Sequence, residues 1–214
     1  MDSKKIFIYI LGTAQDGGYP HFGCREQCCE SAWKDLSKQR FPASLALVDM
    51  NEKKYWLFDI TPEVKDQIHM LDQFNCSLAG VFITHAHVGH YMGLINFGLE
   101  IMNTKNIPIY IMPKMKYYIE NNSMLNQLID NKNINLTVLS DNKISSINKV
   151  VLVIPFKVPH RNELSETVGF QIVGNKKSII YLPDIDSWNG FESTQPSCSF
   201  FPCQESMLVT IKTK

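Results

Sequence analysis

Ala79-Gly80-Val81-Phe82-Ile83-Thr84-His85-Ala86-His87-Val88-Gly89-His90 decides how this chain is read. Ala79 to Ile83 is a short apolar run of strand length that passes straight into a loop holding three of the six histidines. In extended backbone, residues i and i+2 point to one side, so His85 and His87 can grip one cation, and His90 lies one helical turn further on. Leu94, Ile95, Leu99 and Met102 then continue at helical spacing. The order is strand, histidine loop, helix. Polar imidazoles crowded after a buried strand predict a metal site.

The segments on either side repeat the alternation of strand and helix. Ile6 to Leu11 reads as a buried strand ending in a glycine-rich loop. Ser44 to Asp49 and Tyr55 to Ile60 flank a polar stretch of hairpin-loop size. Thr61-Pro62-Glu63 then opens a helix of about ten residues through Val64, Ile68 and Leu71. Beyond the histidine loop, Pro108 to Met112 and Ile134 to Leu139 read as strands around a broken helix from Met115 to Asp130. Val150 to Val158 is the longest β-type run and ends at Pro159-His160-Arg161; Thr167 to Val173 and Ser178 to Leu182 form a last hairpin, ending on Pro183-Asp184-Ile185-Asp186. Hairpins among mixed strands and helices predict an α/β sandwich with mixed or antiparallel sheets and helices outside.

Composition narrows the function. The chain has 214 residues, 44% hydrophobic and 20% charged, enough to bury a large core. Its 21 basic residues balance 21 acidic ones, so no global field recruits nucleic acid or an anionic membrane, and the expected partner is a small-molecule substrate. No apolar run approaches the roughly 18 residues of a membrane span. The apolar stretch after Lys4-Lys5 is too short for a secretory leader, so the expected location is the cytoplasm. There the six cysteines are reduced thiols or metal ligands. Cys24, Cys28 and Cys29, with His21 beside them, offer either a structural zinc site or plain thiols. Cys76 reads as a small core residue and His69 as a partly buried structural one. Asp186 can accept from a metal-bound histidine or cap a following helix. Asp16-Gly17-Gly18 lacks the lysine of a phosphate-cradling loop, which excludes nucleotide binding there.

Several motifs together resemble a known family. Thr84 to His90 followed by Gly93-Leu94 is similar to the metal-binding motif of the metallo-β-lactamase superfamily. Leu11 to Gly18, the Cys24 cluster, Phe58-Asp59-Ile60-Thr61-Pro62-Glu63, Pro159-His160-Arg161 and Tyr181 to Asp186 resemble the branch that contains coenzyme PQQ synthesis protein B. The resemblance implies an αββα sandwich with metal at the edge of its sheets. By position, it implies that His85, His87 and His160 hold a first metal, that Asp184 bridges and serves catalysis, and that His90 belongs to a second metal. Asp59 sits where relatives have an acid supporting the histidine loop, and the Asp16 loop falls near the metal edge. Relatives also carry cysteines near Cys24, Cys28 and Cys29.

Two departures shape the expectation. The family motif has an aspartate where this chain has Gly89, which predicts a depleted second site. No histidine follows His160, although the family supplies a final one. After Trp188 the Ser- and Pro-rich stretch through Cys198 and Cys203 has no helical or strand period. The reading is therefore a partial metallo-β-lactamase-like domain over 1–190, a C-terminal part left incomplete, and an atypical tail over 191–214. One ion is expected at the His/Asp site, zinc, with iron or manganese as alternatives. The expected function is a metal-dependent hydrolase using metal-activated water; an iron-dependent oxidase or oxygenase and an inactive remnant are the alternatives.

Overall fold

The computed structural model describes residues 6–175 and 177–187, together with the backbone of 208–213. In chain order the elements begin β1 (Ile6–Gly12), α1 (Gln27–Lys34), β2 (Ser44–Asp49), β3 (Lys54–Phe58), α2 (Val64–His69) and β4 (Ser77–Phe82). They continue with α3 (Val88–Tyr91), β5 (Ile107–Ile111), α4 (Pro113–Glu120), α5 (Ser123–Asp130) and β6 (Ile134–Val138). These six strands form one sheet in sequence order. β1, β2 and β3 pair antiparallel, β2 and β3 as a hairpin and β1 and β2 across the long segment that carries α1, whereas β3 to β6 pair parallel. Parallel neighbours need crossovers, and the segments that carry α2 to α5 supply them.

The second sheet holds β7 (Ser145–Ser146), β8 (Leu152–Lys157), β9 (Val168–Val173), β10 (Lys177–Leu182) and β11 (Leu208–Thr213), in the order β11-β10-β9-β8-β7 and antiparallel throughout. The hairpins read at 44–60 and 167–182 are both present.

Apolar periodicity explains how the layers meet. Leu45 and Leu47 of β2 pack with Trp56, Phe82, Val153, Phe170 and Ile172 between the sheets. Ala46 and Val48 of the same strand face the opposite cluster, with Val64, Leu94, Met115, Ile119 and Leu125 from the helical layer. Burial on both faces is why β2 reads as a continuous apolar run. Phe58 and Phe82 stack at 4.8 Å, and Phe170 meets both edge-on. A smaller cluster of Phe156, Val158, Ile180 and Leu182 comes from the second sheet itself. Among the described residues no helix is long and apolar enough to cross a membrane.

Three local expectations differ. The helix expected from Thr61 is the six-residue α2 followed by a 3-10 turn at Asp72–Phe74. The helix expected through Leu94 and Met102 is a short α3 that continues as a 3-10 segment, Met92–Phe97. Tertiary contact wins over helical spacing there. Ile60 N–H donates to His90, and Gly93 N–H to Ile60, while a Cβ on Gly93 would lie 2.3 Å from the Thr61 carbonyl oxygen. Finally, α1 carries Cys28 and Cys29 where no helix was read. Residues 191–207 of the segment read as a tail, with Cys198 and Cys203, lie outside the described residues, as do 188–190. The backbone of its last residues pairs with β10, from Lys177–Thr213 to Leu182–Leu208.

Candidate metal centre

β3 and β4 end side by side, at Phe58 and Phe82, so Asp59 and the histidine loop leave the same sheet edge. Asp59 takes a left-handed backbone, φ 61°, and its N–H donates to Phe82. Its carboxylate is fully buried, which is costly unless donors surround it. Here the Thr84 N–H donates at 2.8 Å, the Tyr181 hydroxyl at 2.8 Å and His90 Nδ1 at 2.7 Å. The Thr84 hydroxyl lies 3.0 Å from both carboxylate oxygens. Its one proton goes to Asp59, so it accepts from His85 Nδ1 at 2.9 Å. One buried acid thus orients both His85 and His90. β9 closes the loop from the other side: Val168 N–H donates to the Thr84 carbonyl, and the Ala86 N–H to Ser165 Oγ.

The other two histidines are oriented in the same manner. His160 Nδ1 donates to Asp186 at 2.8 Å, and His87 Nε2 faces Glu163 at 3.3 Å. These outer partners assign each ring its tautomer and leave His85 Nε2, His87 Nδ1 and His160 Nε2 with lone pairs. The three atoms converge. His85 Nε2 is 2.9 Å and His160 Nε2 is 3.2 Å from His87 Nδ1, and Asp184 Oδ2 stands 3.3 Å from His85 Nε2. Lone pairs facing one another at these distances cannot hydrogen-bond. Around a tetrahedral zinc with bonds near 2.0–2.1 Å, neighbouring ligand atoms stand about 3.3 Å apart, so the donor set fits a metal ion.

Electrostatics agrees with that fit. Burial lowers the His85 pKa to about 4, against the pull of Asp184, so the imidazole is neutral and keeps its lone pair at neutral pH. Burial works to raise the Asp184 pKa, but the neighbouring His85 and His90 outweigh it and keep the carboxyl ionised.

A second group shares Asp184. His90 Nε2 lies 2.9 Å from Asp184 Oδ2 and 3.2 Å from Asp16 Oδ1. Neither oxygen lies where a hydrogen bond needs it, so this buried nitrogen has charge partners and no hydrogen bond. Burial opposes charge on His90, but Asp59, Asp16 and Asp184 together raise its pKa well above the ordinary histidine value. The nearby His90 chiefly lowers that of Asp16, against burial.

Each residue singled out in the sequence now has a place. His85, His87, His160 and Asp184 form one ligand group, Asp16, His90 and Asp184 a second, and Cys24, Cys28 and Cys29 a third, the candidate ligand atoms of each lying within 4.8 Å of one another. His21 does not join the cysteines; its backbone N–H donates to Cys29 Sγ while its ring accompanies Gly17 and the Phe22 carbonyl. Asp186 accepts from His160 Nδ1, and the helix it was expected to cap would fall outside the described residues. His69 is exposed and paired with Asp72 at 2.7 Å, and Cys76 packs half-buried beside Met50. Asp16 and Glu163 were not read as site residues. Asp16 was placed near the metal edge only by its loop, and Glu163 carries no motif.

Comparison with known proteins bears on the fold that carries this site. Residues 56–202 match the model of the β-lactamase superfamily domain. The coenzyme PQQ synthesis protein B of Methylorubrum populi is 23% identical over 83% of this chain, and the chain spans 65% of that protein's length. The homonymous protein of Rhodopseudomonas palustris is 26% identical over 56% of this chain and 40% of its own. Among solved structures, zinc-bound PqqB of Methylobacterium extorquens aligns with a TM-score of 0.73 at 21% identity, covering 87% of this chain and 68% of its own. A diphosphatase of the PhnP family aligns with a TM-score of 0.59 at 20% identity, over 78% and 63%. The match over more than half of the chain, on a sandwich with histidines at its sheet edge, places this protein in the β-lactamase superfamily.

Proposed function

We propose that the protein is a metal-dependent hydrolase acting on a small molecule that contains an ester, thioester or phosphodiester bond. The observation that carries this reading is the convergence of three imidazole lone pairs and the Asp184 carboxylate, each imidazole fixed by its own outer partner. When bound, a zinc ion in such a set supplies an acidified water as nucleophile. The chain's own groups do the rest. His85, His87 and His160 offer neutral nitrogens, and Asp184 is ionised and only partly exposed, placed to orient the attacking water and take its proton. The reading includes a reducing, cytoplasmic setting for the cysteines, whose thiols are unpaired at Cys24, Cys28, Cys29 and Cys76.

A second reading is oxidation at iron held by the same ligands, in the synthesis of the PQQ cofactor, favoured by the name of the curated relatives. One experiment separates the two. The chain is purified aerobically, its metal content measured beside His87→Ala, and both are assayed on an ester, thioester and phosphodiester panel with oxygen uptake followed. Zinc and hydrolysis that vanish together in His87→Ala support the first reading. Iron and oxygen uptake in their place overturn it, as does a folded chain that retains all its metal without His87.

A further inference from the structure

A hypothetical Cβ on Gly89 would stand 2.4 Å from both Asp16 Cγ and Asp16 Oδ1, and 2.9 Å from Asp16 Cβ. The space that a side chain at position 89 would enter is therefore filled by a carboxylate from a different part of the chain. A side chain at position 89 would have to displace that of Asp16.

Asp16 is delivered to this place by a loop fastened on both sides. Before it, Thr13 and Ala14 donate to the Phe41 carbonyl, and Ala43 donates back to Ala14. After it, Tyr19 and Arg40 exchange a pair of backbone hydrogen bonds. Between them, Gly18 N–H closes a turn on Gln15, with Gly18 at φ 70°. The carboxylate is half-exposed, but its backbone is held to the segment that leads into β2.

The side chain facing it is the second, independent observation. His90 is 1% exposed, its Nδ1 proton is committed to Asp59, and its Nε2 points between Asp16 Oδ1 and Asp184 Oδ2 without a hydrogen bond to either. Two carboxylate oxygens and one imidazole nitrogen aimed at a common point are the donor chemistry of a divalent cation.

We infer that Asp16 supplies the carboxylate ligand of a second divalent-metal position, with His90 and Asp184, in the space left open by Gly89. The inference rests on the reading that the three-histidine group holds a metal, and it stands against the expectation that Gly89 depletes the second site. The loop after β1, and not the histidine motif, completes the site.

The test uses the full chain stripped with chelator, reloaded with zinc and desalted, with zinc per chain measured by mass spectrometry and thermal melting run alongside. Asp16→Ala is expected to hold one equivalent fewer than the unsubstituted chain. Gly89→Asp alone leaves the count unchanged, since its side chain and that of Asp16 compete for one space. Asp16→Ala combined with Gly89→Asp restores the lost equivalent. Counting differences keeps any zinc on the cysteine group out of the result. An Asp16→Ala chain that melts normally and holds as much zinc as the unsubstituted one overturns the inference, and reduces Asp16 to an ion-pair partner of His90. A loss that Gly89→Asp does not restore overturns the claim that the two positions serve one role. The underlying reading fails separately: His87→Ala and His160→Ala would then hold as much zinc as the unsubstituted chain.

Discussion

The two ligand groups that share Asp184 are built in opposite ways. The first takes three nitrogens and one carboxylate, the second one nitrogen and two carboxylates. His85 is buried to 1% and reached through Thr84 and Asp59, whereas Asp16 is half-exposed on a loop. Nitrogen-rich sets hold zinc tightly, and oxygen-rich ones are more tolerant of harder cations such as manganese or magnesium. The difference teaches that one sheet edge combines a preorganised ligand group with an adaptable one, joined by a single carboxylate.

The severest way to break this comparison is to remove what the groups share. Asp184→Ala strips a ligand from both, and hydrolysis of the best substrate should fall by about 10²–10⁴-fold, the range a positioned general base contributes. Metal content measured on the same sample should fall at both positions together. Loss at only one would show that Asp184 belongs to that group alone.

Asp59 tests whether the two groups have a common foundation. Its carboxylate accepts from Thr84, Tyr181 and His90. Asp59→Ala should destabilise the chain by about 3–5 kcal/mol, as removal of one partner of a buried charge does, measured by denaturant unfolding. Asp59→Asn keeps an acceptor and should cost less. Equal stability of Asp59→Ala and the unsubstituted chain would mean that the network does not order the histidines.

The sequence disclosed the parts of this design that lie close together in the chain. His85, His87 and His90 were legible because strand geometry fixes which way neighbouring side chains point, and β2 to β4 because their apolar runs are buried on both faces. Two kinds of feature were not. Asp16 meets Gly89 only after β1 and β4 are brought to one sheet edge, and nothing local to Gln15-Asp16-Gly17 announces that encounter. The 3-10 segment Met92–Phe97 has helical apolar spacing, yet the close approach of Gly93 to Thr61 overrides it. His160 and Asp184 were placed by family resemblance, since neither the spacing nor the composition around them requires a ligand.

Asp186 sharpens the comparison within the first group. It holds His160 Nδ1 at 2.8 Å from a half-exposed position, so its removal frees the ring without opening the core. Asp186→Ala should weaken metal binding at the three-histidine position about 10–100-fold, the usual effect of losing such a partner, with little change in melting temperature. Metal binding at the Asp16 position should not follow. Calorimetric zinc titrations of the two variants, Asp186→Ala and Asp16→Ala, read the two positions apart.

Glu163 should matter least. It faces His87 Nε2 at 3.3 Å, a longer contact than the 2.7 Å from Asp59 to His90 or the 2.8 Å from Asp186 to His160, and its side chain is as exposed as that of Asp186. Water can replace an exposed carboxylate as the acceptor for that N–H, and salt screens the charge. Glu163→Gln should therefore change zinc affinity less than about threefold, and raising the salt should shrink the difference further. A tenfold loss would place Glu163 with Asp186 as a residue that fixes its histidine, and the support of the three imidazoles would then not be graded by contact distance.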